Sequence, residues 1–163
     1  MSAPYDSRAV ANEILRYAHE KGRNLTIMQL IKLVYVANGW SLALLNHQLI
    51  DEPIQAWQYG PVIPNVYQAF NKFGSRPITE YAVQVFSNLV YRAEFDPEDL
   101  RLIQTVVDSY GHIHAFQLSN SMHQPGTPWT ITRESKGAYA TIDPELIKNH
   151  FLDLKKQRNV AYG

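Results

Sequence analysis

The stretch TIMQLIKLVYVANGWSLALL, residues 26–45, decides how the rest of the chain is read. Thr26 followed three residues later by Gln29 has the form of a capping box, the pairing that satisfies exposed N–H groups at a helix start. From that start Ile27, Leu30, Ile31, Val34, Trp40, Leu42 and Leu45 carry a long apolar segment forward, which predicts a helix at the buried centre of the fold. Gly39 inside it gives up about 1 kcal/mol of helix propensity relative to alanine. That loss predicts close packing against a neighbouring element. Trp40, surrounded by apolar residues, is expected in the core.

Working outward, Val10, Ile14, Tyr17 and Ala18 form one helical stripe between Asp6 or Ser7 and Gly22, a first helix with a cap at each end. Downstream, residues 46–53 look like a turn, and Ile54 to Tyr59 alternate as a short strand or hairpin does. Gly60-Pro61 is expected to break the chain. Pro64 then opens a helix carrying Val66, Tyr67, Phe70 and Phe73 as far as Gly74. Residues 75–95 hold Tyr81, Val83, Val85, Phe86, Val90 and Tyr91 without a helical period, as expected of a loop with one or two short strands. Asp96-Pro97-Glu98-Asp99 starts a helix whose stripe is Leu100, Ile103, Val106, Val107 and Tyr110. His112 to Met122 reads as another short helix, followed by an irregular turn at Pro125-Gly126-Thr127-Pro128. The cap pattern recurs at Asp143-Pro144-Glu145, opening a last helix with Leu146, Ile147, Phe151 and Leu154. Lys155 to Gly163 is expected to be a flexible polar tail. No internal repeat interrupts the pattern. The expectation is a mainly α fold: one compact domain over residues 1–163, a bundle of about five or six helices with a small β-hairpin or short strands.

Bulk composition narrows the function classes. In 163 residues, 45% are hydrophobic and 18% charged, the proportions of a globular chain. Fifteen basic residues balance fifteen acidic ones, which removes the general attraction to phosphate behind non-specific nucleic-acid binding, so no nucleic-acid partner is expected. With no cysteine, disulfides, thiolate metal sites and cysteine nucleophiles are excluded. The start lacks a signal-peptide pattern, and no stretch is expected to span the roughly 20 apolar residues of a membrane crossing. The expected home is the cytoplasm, with no membrane partner.

Three tryptophans and ten tyrosines suit a binding surface, since both residue types are enriched among interface hot spots. Trp57, Tyr59, Gly60, Pro61, Tyr67, His123 and Trp129 cluster around the Gly-Pro and Pro-Gly turns and are the candidates for partner binding or for anchoring those turns. His123 stands between a helix end and a proline-rich turn, where it either locks the turn through backbone hydrogen bonds or serves a polar function. His112 and His114 are two apart and do not share a helix face, so no metal site is expected with His123. Gly39-Trp40-Ser41-Leu42-Ala43 resembles a nucleophile elbow, but the serine falls inside a helix and not on the exposed turn between strand and helix that the motif requires. No phosphate loop or dinucleotide fingerprint is present. No catalytic residue, metal or cofactor is assigned.

Certain segments taken together carry a family resemblance. They are Leu30-Ile31-Lys32-Leu33-Val34-Tyr35, Gly39-Trp40-Ser41-Leu42-Ala43, the run from Asp51 through Ala56-Trp57-Gln58-Tyr59-Gly60-Pro61-Val62 to Tyr67, then Leu118-Ser119, His123 and Pro128-Trp129. In these segments the chain resembles the SocA-like (Panacea) antitoxin domains of bacteria and phages. The resemblance implies the antitoxin half of a two-gene pair, a protein that binds and silences a co-encoded toxin by direct contact. One branch of the family instead presents its toxin to a ClpXP-type protease. The family often has Glu where this chain has Gln55 and Gln124, so no carboxylate function carries over to those positions. Some members carry a DNA-binding segment ahead of the domain, whereas here the first helix is expected almost at the start. Two rival readings stand beside this one. One is a small hydrolase-like pocket enzyme using His123 near Tyr59 or Tyr67; the other is a phage protein that binds a host factor.

Overall fold

The computed structural model describes residues 2–162, with the side chains of the last helix described as far as Arg158. Asp6 accepts the backbone N–H of Arg8 at 2.8 Å and opens α1, Ser7–Glu20, which ends before Gly22 at a positive φ of 76°. The Thr26–Gln29 capping box forms in both directions and opens α2, Ile27–Trp40, which runs on into a wider π-helical turn over Ser41–Leu45. A hairpin of β1, Gln55–Trp57, and β2, Gly60–Val62, leads into α3, Pro64–Phe70, and a short 3-10 turn, Asn71–Phe73. Then follow α4, Pro97–Tyr110, α5, Ala115–Met122, α6, Pro128–Lys136, and α7, Pro144–Tyr162. The fold is mainly α with a small antiparallel sheet, as expected from the sequence. It has seven α-helices among the described residues.

Every residue of α2 except Met28 and Gln29 is buried. It packs against α1, α3, α4, α5, α7 and β2, so the other elements are arranged around it. By length and composition the 19 residues Ile27–Leu45 could cross a membrane, but 78% of that window is buried inside the fold. Its apolar surface is already used by neighbouring helices. Gly39 is the closest contact of all. A Cβ at this position would lie 2.1 Å from the Phe151 ring of α7, a separation that no side chain tolerates. The same ring meets Trp40 and Tyr35 edge-on at centroid distances of 5.1 and 6.0 Å. The propensity lost at Gly39 is thus exchanged for aromatic packing.

Two buried polar groups fasten the segments around this core. Asn38 accepts the backbone N–H groups of Leu49 and Ile50 through Oδ1, at 2.8 and 3.3 Å, which fixes the turn after α2. Asp99, in the first turn of α4, accepts Tyr5 Oη at 2.6 Å on one oxygen and lies 2.8 Å from His47 Nε2 on the other. Tyr5 Oη in turn accepts the Asp96 N–H at 3.0 Å. Burial and the neighbouring carboxylate push the Tyr5 phenol up to about 12. Asp99 therefore does more than start a helix: it ties the N-terminal segment, the turn after α2 and α4 to one point.

The structure corrects four expectations. Gly60-Pro61 does not break the chain but forms β2, with Trp57 opposite Gly60 and Ala56 opposite Pro61. This is possible because Pro61 lacks only a donor, and its carbonyl is used from the other side. The helix expected from His112 begins at Ala115, with His114 Nδ1 accepting the Phe116 N–H as its cap. The turn before Trp129 is followed directly by α6, for which Thr127 supplies the cap and Pro128 the first residue. Lys155 to Arg158, expected as the start of a tail, continue α7 because no helix breaker intervenes. Arg158 lies 5.1 Å from the Trp40 ring and donates to Tyr110 Oη at 2.8 Å. Gly163 lies outside the described residues.

Candidate functional site

The residues singled out from the sequence gather around the β1–β2 hairpin and the α5–α6 corner. The hairpin turn is the pair Gln58-Tyr59, and its two carbonyls are held from the same side. Ser119 Oγ of α5 donates to Tyr59 O at 3.0 Å, and His123 Nε2 faces Gln58 O at 3.4 Å. The other ring nitrogen of His123 lies 2.5 Å from Ser119 O, within its own helix end. Both nitrogens of the imidazole thus face backbone carbonyls, and the neutral ring, with one N–H, donates to one of them. Its ring packs on Trp129 with centroids 4.0 Å apart.

Trp129 and Trp57 join the corner to the hairpin. Trp129 Nε1 donates to Trp57 O at 2.6 Å, and Trp57 Nε1 donates to Gln55 Oε1 at 2.8 Å. Both indoles are half-buried. On its open side the Trp57 ring meets Tyr67 and Tyr139 edge-on at 5.1 and 5.6 Å. Arg133 of α6 stands 5.2 Å from the Trp129 ring and donates to Ala56 O at 3.3 Å. A return segment completes the hairpin: Ala56 N–H donates to Ala140 O and Tyr139 N–H to Ala56 O, each at 2.8 Å. Of the seven sequence candidates, Gly60 and Pro61 are buried, Trp57, His123 and Trp129 are half-buried, and Tyr59 and Tyr67 are exposed. Tyr59 is the most open of them, at 63%.

Beneath the hairpin sits a residue to which the sequence reading assigned no function. Lys32 of α2 is 1% exposed, and its Nζ donates to Pro61 O at 2.9 Å. Among the described residues no Asp or Glu forms an ion pair with it. Burial without a counter-charge lowers its ammonium from the ordinary 10.5 to about 7, because the charged form loses its hydration and gains little in return. Gly60 is the residue that admits this lysine. It adopts φ 122°, and a Cβ there would lie 2.9 Å from Lys32 Nζ and 3.5 Å from His123 Cε1. Lys32, Gly60 and His123 form one stack from core to surface. A lone charge within an otherwise apolar helical run was the available sequence signal, since such a residue must either reach solvent or find a buried acceptor.

These groups hold a loop in place. The carbonyls of Gln58 and Ser119 already face the His123 nitrogens. Ser41 is fully buried and donates to His47 O at 2.7 Å, so it is not presented as a nucleophile. Among the described residues no three His, Asp or Glu side chains are placed to hold a metal ion. What the corner does present outward is aromatic: Tyr67 and Tyr139 flank the Trp57 ring, and Tyr59, at the hairpin turn, borders a separate groove with Met28 of α2 and Phe116 and Ser119 of α5.

Comparison with known proteins places the same residues in a wider setting. The family model described as antitoxin SocA-like, Panacea domain matches residues 30–130, a span that contains Lys32, the hairpin, His123 and Trp129. The chain is 31% identical to antitoxin SocA of Caulobacter vibrioides (strain NA1000 / CB15N) over 166 residues, covering 97% of this chain and 88% of that protein. No solved structure matches.

Proposed function

The chain belongs to the SocA-like, Panacea-domain antitoxin family, and from that premise we propose that it neutralises a co-encoded protein toxin in the cytoplasm by direct contact, without performing a reaction of its own. The observation that carries this reading is the state of His123. The one imidazole in the signature uses its single N–H for a backbone carbonyl and packs its ring against Trp129, which fixes the ring in place and makes the corner a rigid mount. In this reading Trp57, Gly60, Pro61, His123 and Trp129 anchor the turn, and Tyr59 and Tyr67 meet the partner. Rigid aromatic side chains suit that task, because two torsions are all that must be ordered on binding. A complex that silences a toxin is expected to bury on the order of 1,200–2,000 Å² in total.

The test is co-expression with the neighbouring open reading frame. Growth arrest by the neighbour alone, relieved by this chain, and co-purification of the two products are the expected results. A neighbour that is harmless by itself, or turnover of a small substrate that disappears in His123→Ala with no other macromolecule present, would overturn the proposal. Adding purified ClpXP to the complex separates the two modes: faster loss of the partner marks an adaptor, and an unchanged partner marks a simple inhibitor.

A further inference from the structure

Two features that lower the stability of the free chain meet beneath the β1–β2 turn. Lys32 occupies a position of α2 whose neighbours Ile31, Leu33 and Val34 are all buried. An apolar side chain of the same length would fill that space without the loss of hydration that a buried ammonium suffers. Gly60 is the second. It holds φ at 122°, and a Cβ there would lie 2.9 Å from Lys32 Nζ, so the position has to stay a glycine for the lysine to reach its acceptor. Glycine brings with it the largest entropy loss of any residue on folding.

What the pair supplies in return is direction. Three carbonyls of the hairpin accept side-chain donors from three different helices. Trp57 O accepts from Trp129 of α6 at 2.6 Å, Tyr59 O from Ser119 of α5 at 3.0 Å, and Pro61 O from Lys32 of α2 at 2.9 Å. Ala56, opposite Pro61, has its own N–H and carbonyl bonded to the return segment at Ala140 and Tyr139. The hairpin is therefore gripped at one edge by the return segment and at the other by Lys32. Pro61 has no N–H, so its carbonyl is the one backbone hydrogen-bonding group it offers there. A methionine or leucine at position 32 would pack but leave that carbonyl unaimed, whereas a hydrogen bond fixes both a distance and an angle. Tyr59, 63% exposed, sits between the Ser119 and Lys32 grips. Order present before binding lowers the entropy lost on binding.

We propose that Lys32 is a positioning residue for the partner: its hydrogen bond to the Pro61 carbonyl sets the turn from which Tyr59 meets the toxin, while lowering the stability of the free chain. This inference rests on the antitoxin reading and names the buried residue that shapes its contact surface.

The test is a double-mutant cycle in the full chain. The probe is the purified product of the adjacent open reading frame, with affinity read by calorimetry and folding by urea unfolding at pH 7. Lys32→Met should unfold at a higher urea concentration than wild type and yet bind about tenfold more weakly or worse. A residue that served the fold alone would move stability and affinity in the same direction. Tyr59→Ala should weaken binding by about tenfold at near wild-type stability. In the double variant the loss should stay close to that of either single variant and well short of their product, as for two residues that act through one turn. Amide exchange over residues 55–62 should be faster in Lys32→Met than in wild type, against the direction of its overall stability.

Lys32→Met binding within about threefold of wild type, or losses that multiply in the double variant, would overturn the positioning role and leave the antitoxin reading intact. Lower stability together with weaker binding would do the same, by assigning Lys32 to the fold. So would full affinity in Tyr59→Ala, which moves the contact away from the turn. Lys32→Leu replaces Lys32→Met should the latter not fold, and failure of both to fold would also overturn the proposal. No binding by the wild type would remove the antitoxin reading itself.

Discussion

Replacing Lys32 with Met tests the buried stack directly. The side chain keeps its length and loses both the charge and the donor to Pro61 O. In the folded chain the ammonium is held near 7, whereas an unfolded lysine titrates at about 10.5. Between those two values the unfolded chain binds a proton that the folded chain does not, so stability rises with pH across this window. Below about pH 7 both forms are protonated and the slope disappears. At 1.36 kcal/mol per decade, the span from 10.5 to about 7 places about 5 kcal/mol against the folded state near neutrality. Lys32→Met removes that penalty but leaves the Pro61 carbonyl short of a donor, a loss of about 1–3 kcal/mol. The variant should be more stable than wild type by about 2–4 kcal/mol at pH 7, and the advantage should be gone by pH 10. Urea unfolding followed by tryptophan fluorescence at pH 7, 8.5 and 10 measures it, and subtracting the two curves cancels the other titrating groups. A difference that stays constant to within about 1 kcal/mol over that range would refute the uncompensated burial of Lys32.

Gly39→Ala drives a methyl group into the Phe151 ring, so overpacking of about 1–3 kcal/mol should outweigh the roughly 1 kcal/mol gained in helix propensity; Phe151→Leu in the same chain should return part of the loss in thermal unfolding. Asp99→Ala strips Tyr5 Oη and His47 of their shared acceptor. It should cost about 2–4 kcal/mol in urea unfolding, and a loss under about 0.5 kcal/mol would mean the three segments are held by other contacts. Asn12→Ala leaves Ala82 and Tyr91 without their clamp and should speed amide exchange at residues 82–91 by about tenfold or more, with little change elsewhere. Uniform exchange rates in the variant would argue that residues 82–91 hold their shape unaided.

What the sequence determined by itself is local in origin. The Thr26–Gln29 box, the Asp-Pro-Glu starts at residues 96 and 143 and the 3.6-residue stripes place five helices, because capping and amphipathic periodicity act within a few residues of chain. The close approach at Gly39 was legible too, since glycine inside an apolar helix is a loss that only packing repays. The missed helix, α6, failed for a local reason as well. A proline-glycine turn dominates the pattern just before Thr127, and the nine residues that follow hold only two large apolar side chains, Trp129 and Ile131, too few to mark a period.

The tertiary structure alone decided the rest. Lys32 meets its acceptor 29 residues along the chain, Asn12 meets Ala82 70 residues away, and Asp99 meets Tyr5 94 residues away. Whether a charge is buried, or Phe86 left bare at the surface, depends on what the folded chain brings beside it. Periodicity carries no record of that, because the energies of desolvation and exposure belong to the neighbours in space and not to the neighbours in sequence.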